Sequence, residues 1–182
     1  MPVALEAARH ILLLALAIVC VYTDLARHRI YNAATLSGLA GGLVLAYLLD
    51  ATVAGQPHLK AAALAALLGG GILFAVYLAG GLGAGDVKLM AAVGALSPLG
   101  GATDGWRFVC LALMYTAIVG AAIAVGTLIW KGRLLEGLRD SARTLFTFRR
   151  GRKTDGEKPL TVPYGLAIGV GTLWAWLEAM VF

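Results

Sequence analysis

The chain has ten acidic side chains among 182 residues, and six stand outside its one strongly basic stretch: Glu6, Asp24, Asp50, Asp86, Asp104 and Glu178. The chain is 60% apolar, and a carboxylate in or against a membrane is expensive enough to be a functional candidate by default. Glu6 and Glu178 fall in the terminal turns of apolar runs, and Asp50 and Asp104 fall between runs. Each of those four reads as a charge at headgroup level. Asp24 and Asp86 differ: the first closes the first apolar run, and the second follows the third run and opens the fourth. Two crossings separate them, so both lie on one face of a membrane, at similar depth, whichever way the chain inserts.

Taken singly, each has an ordinary reading. Asp24 is a polar helix end, and Asp86 is an N-cap stabilised by free N–H groups and the helix dipole. As a pair they have a defined chemistry. Like charges a few ångströms apart cannot both ionise easily, so the two share a proton. One carboxylate then activates a water as general base while the other protonates the carbonyl or the leaving amine. Such a pair titrates as a unit, so neither residue is assigned the acid or the base role.

The other reactive side chains form no rival constellation. Ser37, Ser97 and Ser141 lack a His partner at their depth, and His10, His28 and His58 are scattered over both faces. Neither a triad nor a His metal site is expected. Cys20 and Cys110 lie inside apolar runs with no Cys or His at ligand spacing, and both read as packing residues. The expectation is an enzyme that uses no metal and no cofactor.

The residues before Asp86, Gly80-Gly81-Leu82-Gly83-Ala84-Gly85, include four glycines. Glycine permits positive φ and close backbone approach, which suits a site that receives an extended peptide. The four glycines together are therefore candidates for shaping a site around Asp86. Lys88 is a candidate either for tuning the carboxylate or for holding a lipid headgroup.

Six apolar runs must position these groups: about Val3–Thr23, Ala33–Leu49, Ala61–Leu82, Val87–Leu99, Trp106–Trp130 and Val162–Phe182. With a mean hydropathy of +0.83 and 14% charged residues, the composition excludes a disordered chain, a disulfide scaffold and an ordinary soluble enzyme. A hydrocarbon core of about 30 Å needs roughly 20 apolar residues in a helix, and only helices and closed barrels satisfy their backbone there. The expected fold is an all-α integral membrane protein of about six transmembrane helices, one membrane domain over residues 1–182. The fourth run is short for a crossing. The first is a retained helix rather than a signal peptide, since Arg27-His28-Arg29 follows it and no small-x-small cleavage site ends it. Gly81-xxx-Gly85 and Gly165-xxx-Gly169 have the spacing of close helix contacts.

Charge sets the orientation. Residues 131–160 hold nine basic and four acidic side chains, the whole net +5 of the chain. Counted with Arg27, Arg29 and Lys88, twelve Lys and Arg follow helices one, three and five, against Arg9, Lys60 and Arg107 on the other side. The positive-inside rule puts the twelve, and with them both aspartates, on the cytoplasmic face, with both termini outside. In the basic stretch, Leu134, Leu135, Leu138, Ala142, Leu145 and Phe146 recur at helical spacing, so it is either an amphipathic helix on the membrane surface or a solvated loop. Its partner is anionic lipid rather than nucleic acid.

Gly83-Ala84-Gly85-Asp86-Val87-Lys88-Leu89 resembles the GxGD signature of intramembrane aspartyl proteases, in the form found in bacterial prepilin peptidases. Asp24 with Ile30 and Asn32 resembles that family's other motif, and Val162-Pro163-Tyr164-Gly165 its segment opening the last helix. The resemblance implies a GxGD protease-like fold in the bacterial inner membrane. It implies cleavage of the short basic leader from a prepilin or pseudopilin precursor at the cytoplasmic face, in company with a pilus assembly machinery. Asp24 and Asp86 match its catalytic pair, and Gly83 and Gly85 the loop that shapes the site. There are two departures. Tyr31 stands where many members have proline, and the four-cysteine zinc module of the larger, bifunctional members is absent. The second sets N-methylation of the product aside, and resembles the small members serving tight-adherence (Flp-type) pili. Two other readings stay open from the residues alone: a small proton-coupled transporter, and a non-catalytic membrane subunit of a pilus or secretion machine.

Overall fold

The computed structural model describes residues 2–27, 29–53, 57–98, 104–130 and 164–181. They form six helices: α1 Pro2–Arg27, α2 Asn32–Thr52, α3 His58–Leu78, α4 Ala84–Ala95, α5 Asp104–Trp130 and α6 Tyr164–Val181. Among the described residues there is no strand. All the helices except α4 are long and apolar enough to cross a membrane, and the chain is a multi-pass integral membrane protein. The basic stretch 131–160 and the pair Val162-Pro163 lie outside the described residues, so the choice between surface helix and loop does too.

The short helix is the centre of the bundle. With 12 residues α4 rises about 18 Å, well short of a hydrocarbon core. It packs chiefly on α3 and α2, with α5 and α6 against it as well. Leu89, Met90, Ala92, Val93, Ala95 and Leu96 are all essentially inaccessible. Small residues allow this enclosure. A Cβ on Gly42 of α2 would lie 2.6 Å from the Ala95 carbonyl oxygen, and one on Gly94 would run into the backbone of Ala65. The longer helices expose Ile11, Ile18, Leu67, Ile118 and Trp130 outward, as a lipid-facing surface does, since lipid tails are as apolar as the side chains.

The helix ends differ from the sequence expectation in informative ways. Helix α1 continues to Arg27, so Asp24 sits inside its last turn instead of closing it. Helix α2 runs to Thr52 and takes in Asp50, which was expected in a connection. The Asp50 carboxylate accepts the backbone N–H groups of His58 at 2.6 Å and Leu59 at 3.1 Å. It thus serves the open donors of the α3 first turn, whose own N-cap, Pro57, has no side-chain cap to offer. Glu178, expected as a free headgroup-level charge, accepts the Tyr115 hydroxyl at 2.6 Å. Arg9, expected at the outer surface, is 1% exposed. Cys20 is buried as expected, whereas Cys110 lies exposed on α5, on its outward side.

Only one of the two glycine pairs is a helix contact. Gly165 and Gly169 turn toward α1, where added Cβ atoms would meet Asp24 and Val21. Gly81 lies in the α3–α4 connection and Gly85 in α4, so that spacing never forms a helical stripe.

Candidate active site

Helix α3 has to stop for Asp86 to be placed, and the stop is built from backbone. Gly80 has φ 85°, the left-handed conformation that costs glycine nothing. The Gly80 N–H donates to Tyr77 O at 2.9 Å and the Gly81 N–H to Val76 O at 3.1 Å, the paired bonds of a Schellman ending. Three residues later α4 opens at Ala84 with Gly83 as its extended N-cap. Asp86 is then the third helical residue. Its Oδ2 accepts the Gly83 N–H at 3.0 Å, the acidic half of a capping box. Asp86 is therefore not the N-cap its sequence position suggested but the third-residue partner of Gly83, and this bond engages only one of its two carboxylate oxygens.

Asp24 is held in a matching way by a helix far along the chain. The Leu166 N–H, in the first turn of α6, donates to Asp24 Oδ2 at 3.2 Å. Each carboxylate thus meets the start of a helix, where free N–H groups and the dipole favour negative charge. The approach to Asp24 depends on Gly165, because a Cβ there would stand 2.7 Å from Asp24 Oδ2. Asp24 is 7% exposed and Asp86 8%, so neither is a solvated surface charge.

The connection between α1 and α2 is clamped onto the first turn of α4 at two points. Ile30 lies where a Cβ on Gly85 would meet its own Cβ at 3.1 Å. Lys88 Nζ donates to Asn32 Oδ1 at 2.9 Å. Lys88 therefore ties two helices together at an exposed position, a role distinct from both expected ones. Tyr31 has φ −78° and ψ 129°, a backbone that proline also adopts. The residue that departs from the family pattern keeps the conformation proline would set, and its hydroxyl accepts from Arg27 Nη1 at 2.6 Å.

These contacts gather the motif residues at one end of the bundle: Asp24 and Ile30 on or after α1, Asn32 on α2, Gly83, Gly85, Asp86 and Lys88 around the α4 start, and Gly165 on α6. The two carboxylates are near enough for the Asp24 charge to act on Asp86. Asp86 lies outside the five helices of spanning length. Burial pushes its carboxyl up to about 6, the Gly83 N–H works against that, and the Asp24 charge adds to it. A buried carboxyl raised above its ordinary range and within reach of a second carboxylate's charge suits shared-proton chemistry. Gly165 and the Leu166 amide were not among the sequence candidates for the site. The signal for Gly165 was its place in the segment opening the last helix. A backbone amide leaves no signal in side-chain identity.

Gly83 and Gly85 do not serve through unusual φ. Gly85 admits Ile30, and a Cβ on Gly83 would stand 3.2 Å from Asp86 Oδ2. Among the described residues no group of three or more His, Cys, Asp or Glu side chains is arranged to hold a metal ion.

A family model described as the type IV leader peptidase family matches residues 11–125, more than half of the chain and inclusive of both aspartates. No curated protein and no solved structure matches the chain.

Proposed function

Since the chain belongs to the type IV leader peptidase family, we propose that it is an aspartic endopeptidase in which Asp24 and Asp86 together activate the water that cleaves a prepilin leader. The observation that carries this reading is the pairing of two buried carboxylates at helix starts at one end of the bundle, each held through Oδ2 by one backbone N–H.

The pair holds one proton. The ionised carboxylate takes a proton from water as the water oxygen bonds to the scissile carbonyl carbon. The protonated carboxylic acid gives its proton to the carbonyl oxygen. Collapse of the tetrahedral intermediate breaks the C–N bond: one of its hydroxyls returns a proton to the ionised carboxylate while the protonated one gives its proton to the leaving amine, so the pair again holds one proton. The scheme uses no metal, cofactor or covalent enzyme intermediate. Gly83, Gly85 and Lys88 shape the loop beside Asp86.

The substrate is a prepilin or pseudopilin precursor, a short basic leader followed by an apolar helix, in the manner of the small tight-adherence peptidases. Cleavage proceeds without N-methylation, because the chain has only two cysteines and cannot build the four-cysteine module of the bifunctional members. Counting α4 as a crossing made within the bundle, the excess of Lys and Arg after helices one, three and five supports a site on the cytoplasmic face of the bacterial inner membrane, with both termini periplasmic. Residues 1–182 act as one membrane domain, and the basic stretch 131–160 meets anionic lipid.

Co-expression with a short pilin precursor, followed by the mass of the product, tests the reading. Wild type is expected to yield the leaderless chain without an added methyl group. Asp24→Asn and Asp86→Asn are each expected to insert normally and yield uncleaved precursor. Cleavage retained in either variant removes the two-aspartate mechanism. A methylated product removes the single-activity reading.

A further inference from the structure

A helix that ends inside a bundle of membrane-spanning helices needs donors for its last carbonyls, since no water is there to serve them. At the end of α4, Ala92 O accepts the Leu96 N–H at 3.0 Å and Gly94 O the Ser97 N–H at 3.2 Å. The next donor in the series is missing, because residue 98 is a proline with no N–H. Arg9 fills that place from another helix. Its Nη2 donates to Ala95 O at 2.8 Å and to Ser97 O at 2.9 Å, and its Nη1 donates to Gly42 O of α2 at 3.0 Å. The guanidinium meets the negative end of the α4 dipole, and its planar fork spans carbonyls on two helices, which a single ammonium does not. Gly42 makes the arrangement feasible by letting the α2 backbone lie against Ala95.

Arg9 lies on the helix that carries Asp24, roughly four turns earlier. Helix α1 otherwise packs on α2 and α6, while α4 packs chiefly on α3 and α2. Arg9 is thus a direct polar tie from α1 to the far end of the helix that begins beside Asp86. We infer that Arg9 is a positioning residue: by holding the C-terminal end of α4 it fixes the depth of that helix, and so the height of Asp86 relative to Asp24. The catalytic part of this inference rests on the two-aspartate reading; the structural part does not.

The test uses the purified full chain with Arg9→Met and Arg9→Lys, and has two readouts. The first is kcat and KM on a prepilin. The second is the disulfide yield of an Ile30→Cys/Gly85→Cys pair in a Cys20→Ala/Cys110→Ala background, since those Cβ positions lie close to disulfide range. In the folded fraction of Arg9→Met, kcat is expected to fall about tenfold or more, as small misplacements of reacting groups do, with KM changed less and the disulfide yield reduced. Arg9→Lys keeps the charge but loses the fork, and is expected to fall between Arg9→Met and wild type. Wild-type kcat and disulfide yield in folded Arg9→Met overturn the inference, even if less protein folds, because that is the signature of a merely stabilising residue. If Arg9→Met yields no folded protein, the same comparison is made on Arg9→Lys, where wild-type values again overturn it. Should Asp86→Asn still cleave, the catalytic reading falls while the disulfide yield still decides whether Arg9 sets the position of α4.

Discussion

Ile30 stands against Gly85 so closely that a Cβ there would meet the Ile30 Cβ at 3.1 Å. This contact presses the short connection after Asp24 onto the turn that carries Asp86, and the Lys88–Asn32 bond closes it on the other side. The two carboxylates are therefore presented by segments that touch, although their helices are distant in sequence.

The site glycines should rank by the space each one leaves. At Gly165 a Cβ meets Asp24 Oδ2 at 2.7 Å and its Cβ at 2.9 Å, whereas at Gly85 the nearest atom lies at 3.1 Å. Gly165→Ala is expected to lower kcat on a prepilin by about 100-fold, the order of loss that follows a displaced reacting group. Gly85→Ala is expected to cost several-fold less, because Ile30 needs to give by only a few tenths of an ångström. Purified variants compared by initial rates check the order; Gly85→Ala the more damaging of the two contradicts it.

Asp86 should make the folded protein pH-sensitive in a stated direction. Its carboxyl is raised from an ordinary 3.8 to about 6 in the folded chain, so between those values the folded state holds the proton more tightly than the unfolded state. Stability then falls as pH rises through that window and stays lower above it. Asp86→Asn, which removes the ionisation, is expected to be more thermally stable than wild type at pH 7.5, with the gap closing near pH 4. Melting temperatures in detergent at the two pH values decide the matter, and an equal gap at both would be inconsistent with it.

Asp50 provides a contrast from the opposite end of the bundle. It serves α3 by accepting two backbone N–H groups and has no part in the proposed reaction. Asp50→Ala is expected to cost about 1 kcal/mol of stability, as the loss of a helix cap does, while leaving the kcat of folded enzyme unchanged. A chemical denaturation curve and an initial-rate assay measure the two effects separately.

The helical architecture was legible because spans of this length and apolarity have no other way to satisfy their backbone. The shared location of Asp24 and Asp86 followed from parity alone, without any knowledge of packing. Less of the polar wiring was legible, and for one reason. Asp50, Arg9 and Asp24 all bond to main-chain groups on other helices, and every residue type offers the same main-chain groups. Asp50 was further obscured because α2 runs a turn past its last apolar run. The glycines before Asp86 were legible as a cluster, but their separate tasks were not. Gly80 ends a helix by its φ, whereas Gly85 makes room for Ile30.

The amide that Asp24 accepts belongs to Leu166, so the two halves of this contact are made far apart in time during synthesis. Asp24 leaves the ribosome and enters the membrane when most of its surroundings are still untranslated. The first-turn amides of α6 arrive only 142 residues later. The proposed site is therefore complete only after α6 has been made and has docked, and a chain stalled before α6 is left without the Leu166 amide that holds Asp24.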